Sequence, residues 1–132
     1  VTSRAIRWAI ALLAAALLAG CNTRAVQEFP LTRFKAESML DSGIREYDNG
    51  EYKLAARTIQ GALDAGLTTR SQGRAHKYLA FIHCIAGQQA QCRDEFRKGL
   101  EVDPRLELSA AEAGHPIWAP VFRSVKASMA KS

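Results

Sequence analysis

Little in this chain points to chemistry. It has only three histidines and three cysteines among its 132 residues, and no Gly-rich phosphate loop, HExxH pair or nucleophile elbow occurs. His76 and His83 stand two helical turns apart, about 10 Å of rise, too far to share one metal ion directly. His115 lies beside Pro116 in a predicted loop, and all three histidines read as structural. No catalytic or metal-binding set emerges, no cofactor or small-molecule substrate is indicated, and the chain is read as a non-enzyme. Charge of one sign is scarce too. The net excess of +5 is spread along the chain and gives no argument for nucleic acid. Long apolar runs are also missing: residues 8–19 form an unbroken stretch of 12, whereas a helix needs about 20 to span a bilayer.

What is present at the start reads as an address. Arg4 and Arg7 precede the apolar stretch, which has the length of an export-signal core. It ends in Leu18-Ala19-Gly20-Cys21, a run similar to the lipobox of bacterial lipoproteins. That resemblance implies that residues 1–20 are a signal peptide and that Cys21 carries a covalent lipid, the only membrane contact expected. Acyl chains contribute about 0.8 kcal/mol per buried CH₂, so two or three of them anchor stably. Asn22 stands where an Asp would, by the same resemblance, favour the inner membrane; the periplasmic face of the outer membrane is therefore expected. Residues 21–31 contain Pro30 and no apolar period, and read as a short lipidated tether.

The body of the chain repeats itself. Residues 74–104 read as helix, Gly-marked turn, helix and Pro stop, and residues 39–67 share the pattern. Gly50, Ala55, Ile59, Ala62 and Leu63 recur 37 positions later as Gly87, Cys92, Phe96, Gly99 and Leu100. Such a register is the signature of stacked helical hairpins. The first helix should start near Thr32 or Arg33, with Phe34, Met39, Gly43 and Tyr47 on its apolar stripe. Asp48-Asn49-Gly50 breaks it, and Tyr52, Ala55, Ile59, Ala62 and Leu63 carry the second, closed by Gly66. Residues 69–72 have capping-box spacing before a third helix through Ala75, Leu79, Ala80 and His83. The fourth runs from about Gln88 to Val102, where Asp103-Pro104 stops it, with Asp94–Lys98 and Arg97–Glu101 as pairs on its solvated face. Ser109–Glu112 has capping-box spacing as well, cut short by Gly114-His115-Pro116. A last helix from about Pro116 carries Trp118, Phe122, Val125 and Met129 as an apolar stripe.

These positions resemble the tetratricopeptide family, which places small residues at Gly43 and Ala80, turn glycines at Gly50 and Gly87, and a closing Pro at Pro104. The resemblance implies an all-α fold with two hairpins over 32–105, and a C-terminal loop and capping helix over 106–132. Two repeats leave an apolar face uncovered, and the tail is expected to cover it. The family binds peptides or partner helices along the wall built by the first helix of each hairpin. Carried onto this chain, that wall comprises Glu37, Leu40, Asp41, Ile44, Tyr47, Arg74, Lys77, Tyr78 and Phe81. If the tail folds back, part of this wall is core instead.

With Cys21 acylated, Cys84 and Cys92 remain, one on each side of the Gly87 turn. In an oxidising periplasm they read as a disulfide stapling the hairpin; the alternative is two buried free thiols. The lipobox, this pair and the tail EAGHPIWAPVFRSVK together resemble TssQ-type lipoproteins of bacterial type VI secretion. That resemblance implies a scaffold or interaction component whose partners are proteins of the secretion apparatus. The rival reading is a pilotin-like or outer-membrane assembly lipoprotein that binds client protein segments.

Overall fold

Three glycine-marked helix ends divide the body of the chain. The computed structural model describes residues 29–131, so the expected signal sequence, Cys21 and most of the tether lie outside the described residues. Within them run α1 (Phe29–Asp48), α2 (Tyr52–Ala65), α3 (Thr69–Ile85), α4 (Gln89–Val102), the single turn α5 (Ala110–Ala113) and α6 (Ala119–Met129). No strand occurs among the described residues. The fold is all-α, with the helices in antiparallel packed hairpins of tetratricopeptide-like form. Residues 32–131 belong to one compact unit.

The two hairpin turns are built alike. Gly50 N–H donates to Tyr47 O at 2.9 Å and Glu51 N–H to Glu46 O at 2.9 Å; Gly87 N–H donates to Cys84 O at 3.1 Å and Gln88 N–H to His83 O at 2.9 Å. Both glycines adopt the left-handed conformation, with φ of 81° and 73°, which satisfies the last helical carbonyls at no Cβ cost.

Burial follows the repeat. Ala55, Ile59, Cys92 and Phe96 are all fully buried. Small residues let the helices close: a Cβ on Gly43 would meet Ile59 Cγ1 at 2.5 Å, and one on Gly99 would meet Leu106 Cδ2 at 2.9 Å. α3 serves two cores. Ala75, Leu79 and Ile82 pack with α1 and α2, whereas Ala80, Phe81 and Cys84 pack with α4 and α6.

Several local expectations shift. α1 begins at Phe29, ahead of Thr32, because Pro30 sits in its first turn, where no backbone N–H is needed. Phe34 is 74% exposed and leaves the expected stripe of α1; Gly43 is buried and Met39 and Tyr47 are partly buried as expected, beside the buried Ala36, Leu40 and Ile44. The N-cap of α3 is Thr68, not Thr69; its side chain accepts from Ser71 N–H, and Gln72 Nε2 donates to Leu67 O. α6 starts at Ala119, not Pro116, with Pro120 in its first turn. Trp118, Phe122 and Val125 are buried, covering the second hairpin as the tail's apolar stripe predicts.

Candidate functional site

The α1/α3 wall divides into a filled part and an open part. Leu40 is fully buried, Ile44 is 6% exposed and Phe81 1%. These three expected partner contacts are therefore core residues. The reason is reach: on α1, positions four apart fall on one face, and that face turns toward α2 and α3. Phe81 is closed off by the tail, with the Trp118 ring stacked on it at 4.4 Å between centroids.

Glu112 fixes that cover. It completes the capping box of α5, accepting from Ser109 N–H at 2.7 Å through Oε2, and both of its carboxylate oxygens accept from Lys77 Nζ, Oε2 at 2.8 Å and Oε1 at 2.9 Å. Trp118 Nε1 donates to the Glu112 carbonyl at 3.1 Å. Burial pushes the Glu112 carboxyl up, but the bonds from Lys77 and Ser109 outweigh it and hold the group below its ordinary range. Lys77 is thus engaged within the chain, its ammonium 5.3 Å from the Tyr78 ring centroid. His115 stacks on the outer face of Trp118.

Between those three core residues the rest of the wall is at least partly accessible. Asp41 and Arg74 form an exposed ion pair at 3.2 Å. Glu37 bridges α1 to the start of α3, accepting from Ser71 Oγ at 2.6 Å and from Thr68 N–H and Oγ1 at 3.2 and 3.1 Å. Partial burial raises its pKa, and these bonds bring it below the ordinary value. Tyr47 and Tyr78 are half-buried, with ring centroids 5.2 Å apart and edge to face. Burial, and secondarily neighbouring phenols and carboxylates, push Tyr47 up to about 12; burial and the Glu112 carboxylate push Tyr78 in the same direction against the pull of Arg74.

These rings belong to a longer series that the sequence reading missed. Tyr52 packs on Tyr47 at 5.4 Å, Tyr78 on Phe81 at 5.6 Å, Phe81 on Phe96 at 6.0 Å, and Phe96 on Phe122 at 5.2 Å. The series joins both hairpins to the tail. Helical spacing signals each ring separately, but nothing local signals that they meet.

Cys84 and Cys92 are joined as a disulfide, with Cα atoms 5.1 Å apart. The same hairpin is braced by His76 Nδ1 and Glu95 Oε2 at 2.7 Å. His83 contacts Gln88 at 2.6 Å across the turn, so each histidine has a local partner. Asp94–Lys98 pairs at 2.9 Å, whereas Arg97–Glu101 is looser at 3.9 Å. Among the described residues, no group of three or more His, Cys, Asp or Glu side chains could hold a metal ion. No helix among them is long and apolar enough to cross a membrane. Comparison with protein families, with curated proteins and with solved structures found no match to this chain.

Proposed function

We propose that this chain is a lipid-anchored, non-enzymatic interaction module at the periplasmic face of the outer membrane, serving as a scaffold component of type VI secretion. Its partner docks on the open part of the α1/α3 wall. The observation that carries the docking reading is the division of that wall. Asp41, Arg74 and the edges of Tyr47 and Tyr78 remain accessible, while Lys77 and Phe81 are occupied by the tail. Half-buried aromatic rings beside an exposed ion pair supply the anchor and rim that protein interfaces use. The lipobox at Cys21 supports the anchor, and the HPIWAPVF tail supports the secretion setting.

The test is affinity purification from membranes after mild crosslinking, with the parent chain beside the charge-swapped Asp41→Arg/Arg74→Asp variant. The swap retains the internal pair but reverses the surface polarity seen by a partner. Secretion-apparatus proteins should be recovered with the parent and lost with the swap. Recovery of outer-membrane assembly clients in their place would support the pilotin-like reading. Metabolic lipid labelling that persists in Cys21→Ala would overturn the anchor.

A further inference from the structure

One further surface shares no residue with the wall, and it adjoins the wall through Tyr52, whose ring packs on Tyr47 at 5.4 Å. The first turns of α2 and the C-terminal end of α3 enclose a cleft of about 500 Å³. Its floor is apolar, made by Ala56, Ile82 and Ile85 with the Tyr52 ring at one edge; its rim carries Lys53, Arg57 and His83, and no carboxylate lines it. Several other cations of the fold have an acidic partner: Arg74 with Asp41, Arg97 with Asp94, Lys126 with Glu107. Lys53 and Arg57 are exposed and have no ion-pair partner among the described residues. They stand four apart on one helix, so both ammonium and guanidinium project along the same side of the cleft.

We propose that this cleft is a second docking site, for a protein segment that inserts an apolar side chain flanked by carboxylates. Complementarity argues for this occupant. An apolar floor rewards a buried aliphatic or aromatic side chain, and an acid-free rim with two unpaired cations selects negative flanks and repels positive ones. The recess argues against a membrane surface. An interfacial lipid contact needs an apolar face that protrudes into the headgroup region, whereas here Ala56, Ile82 and Ile85 are buried or partly buried between two helices and only the Tyr52 ring stands exposed at the edge. The site does not depend on the wall proposed above.

The test uses defined probes. Labelled synthetic helical peptides carry Leu at two positions four apart, with the flanking positions all Glu in one set and all Lys in the other. Binding to the full chain is read by fluorescence anisotropy. The Glu set should bind about tenfold or more tightly than the Lys set. Lys53→Glu/Arg57→Glu should reverse that preference, and Ala56→Trp, which fills the floor, should weaken both sets. Helical circular dichroism checks that each variant is folded, and the double reversal, at two exposed positions, carries the decision if Ala56→Trp fails to fold. Asp41→Arg/Arg74→Asp should leave peptide binding unchanged, which separates this site from the wall. Equal binding of both peptide sets, or a preference untouched by the double reversal, overturns the proposal. So does loss of flotation with phosphatidylglycerol vesicles in the double reversal without any peptide preference, which would make the patch a membrane contact.

Discussion

In the first hairpin Gly50, Ala55 and Ile59 occupy the places that Gly87, Cys92 and Phe96 fill in the second, and the turns and buried positions match. The hairpins differ in what lies outside that register. The second is stapled by Cys84–Cys92, braced by His76–Glu95 and covered by Trp118 and Phe122. The first has none of these; the Gly43–Ile59 approach closes it, and its ties to the rest are Ala75, Leu79 and Ile82 of α3, the exposed Asp41–Arg74 pair and the Glu37 bridge to Thr68 and Ser71. A repeat register therefore sets how helices pair, while residues outside the register decide which hairpin is closed. The tail closes Lys77 and Phe81 on the second hairpin, while Asp41, Arg74 and the edges of Tyr47 and Tyr78 stay open where the two hairpins meet.

The sharpest way to break this contrast is to remove the cover. Trp118→Ala should cost about 3–5 kcal/mol, since it vacates a buried site stacked on Phe81. An unchanged melting temperature would mean that the tail does not close the second hairpin. Opening the staple comes next. Cys84→Ala/Cys92→Ala should lose about 2–3 kcal/mol, the loop between the cysteines being short. Reductant should lower the melting point of the parent and leave the variant unaffected; equal sensitivity would remove the staple from the comparison.

The Lys77–Glu112 contact sharpens the contrast through pH. Glu112 has a folded pKa below its ordinary value of 4.5, so its contribution is fully present above that pH and is lost as pH falls through the folded value. Glu112→Gln should cost about 1–2 kcal/mol at neutral pH and flatten the loss of stability below pH 4.5 measured by denaturant titration. Glu37 and Glu95 are lowered in the same direction and keep the remaining slope. An acid slope identical in variant and parent would show that Glu112 does not fix the tail.

Gly50→Ala and Gly87→Ala test the equivalence of the turns. Each should lose about 1–2 kcal/mol for forcing a side chain into the left-handed region, because open space surrounds both positions. Markedly unequal losses in thermal melts would show that the turns are alike in form only. The smallest effect belongs to the open wall: Asp41→Asn should change stability by less than about 0.5 kcal/mol, the pair with Arg74 being exposed. A larger loss would mean that the first hairpin depends on that pair and is less open than its exposure implies.

By itself the sequence determined the helices, both glycine turns and the hairpin register. These depend on helical periodicity, left-handed glycine caps and small residues at matching places, all of which are local. It also indicated that Trp118, Phe122 and Val125 form one apolar face. It did not determine which part of the α1/α3 wall is open. Leu40, Ile44 and Phe81 have the spacing of wall residues and of core residues alike. The choice rests on contacts between distant parts of the chain, Lys77 with Glu112 across 35 positions and Phe81 with Trp118. Only the tertiary structure decided it, because a side chain's exposure is set by what packs against its helix and not by its place along it.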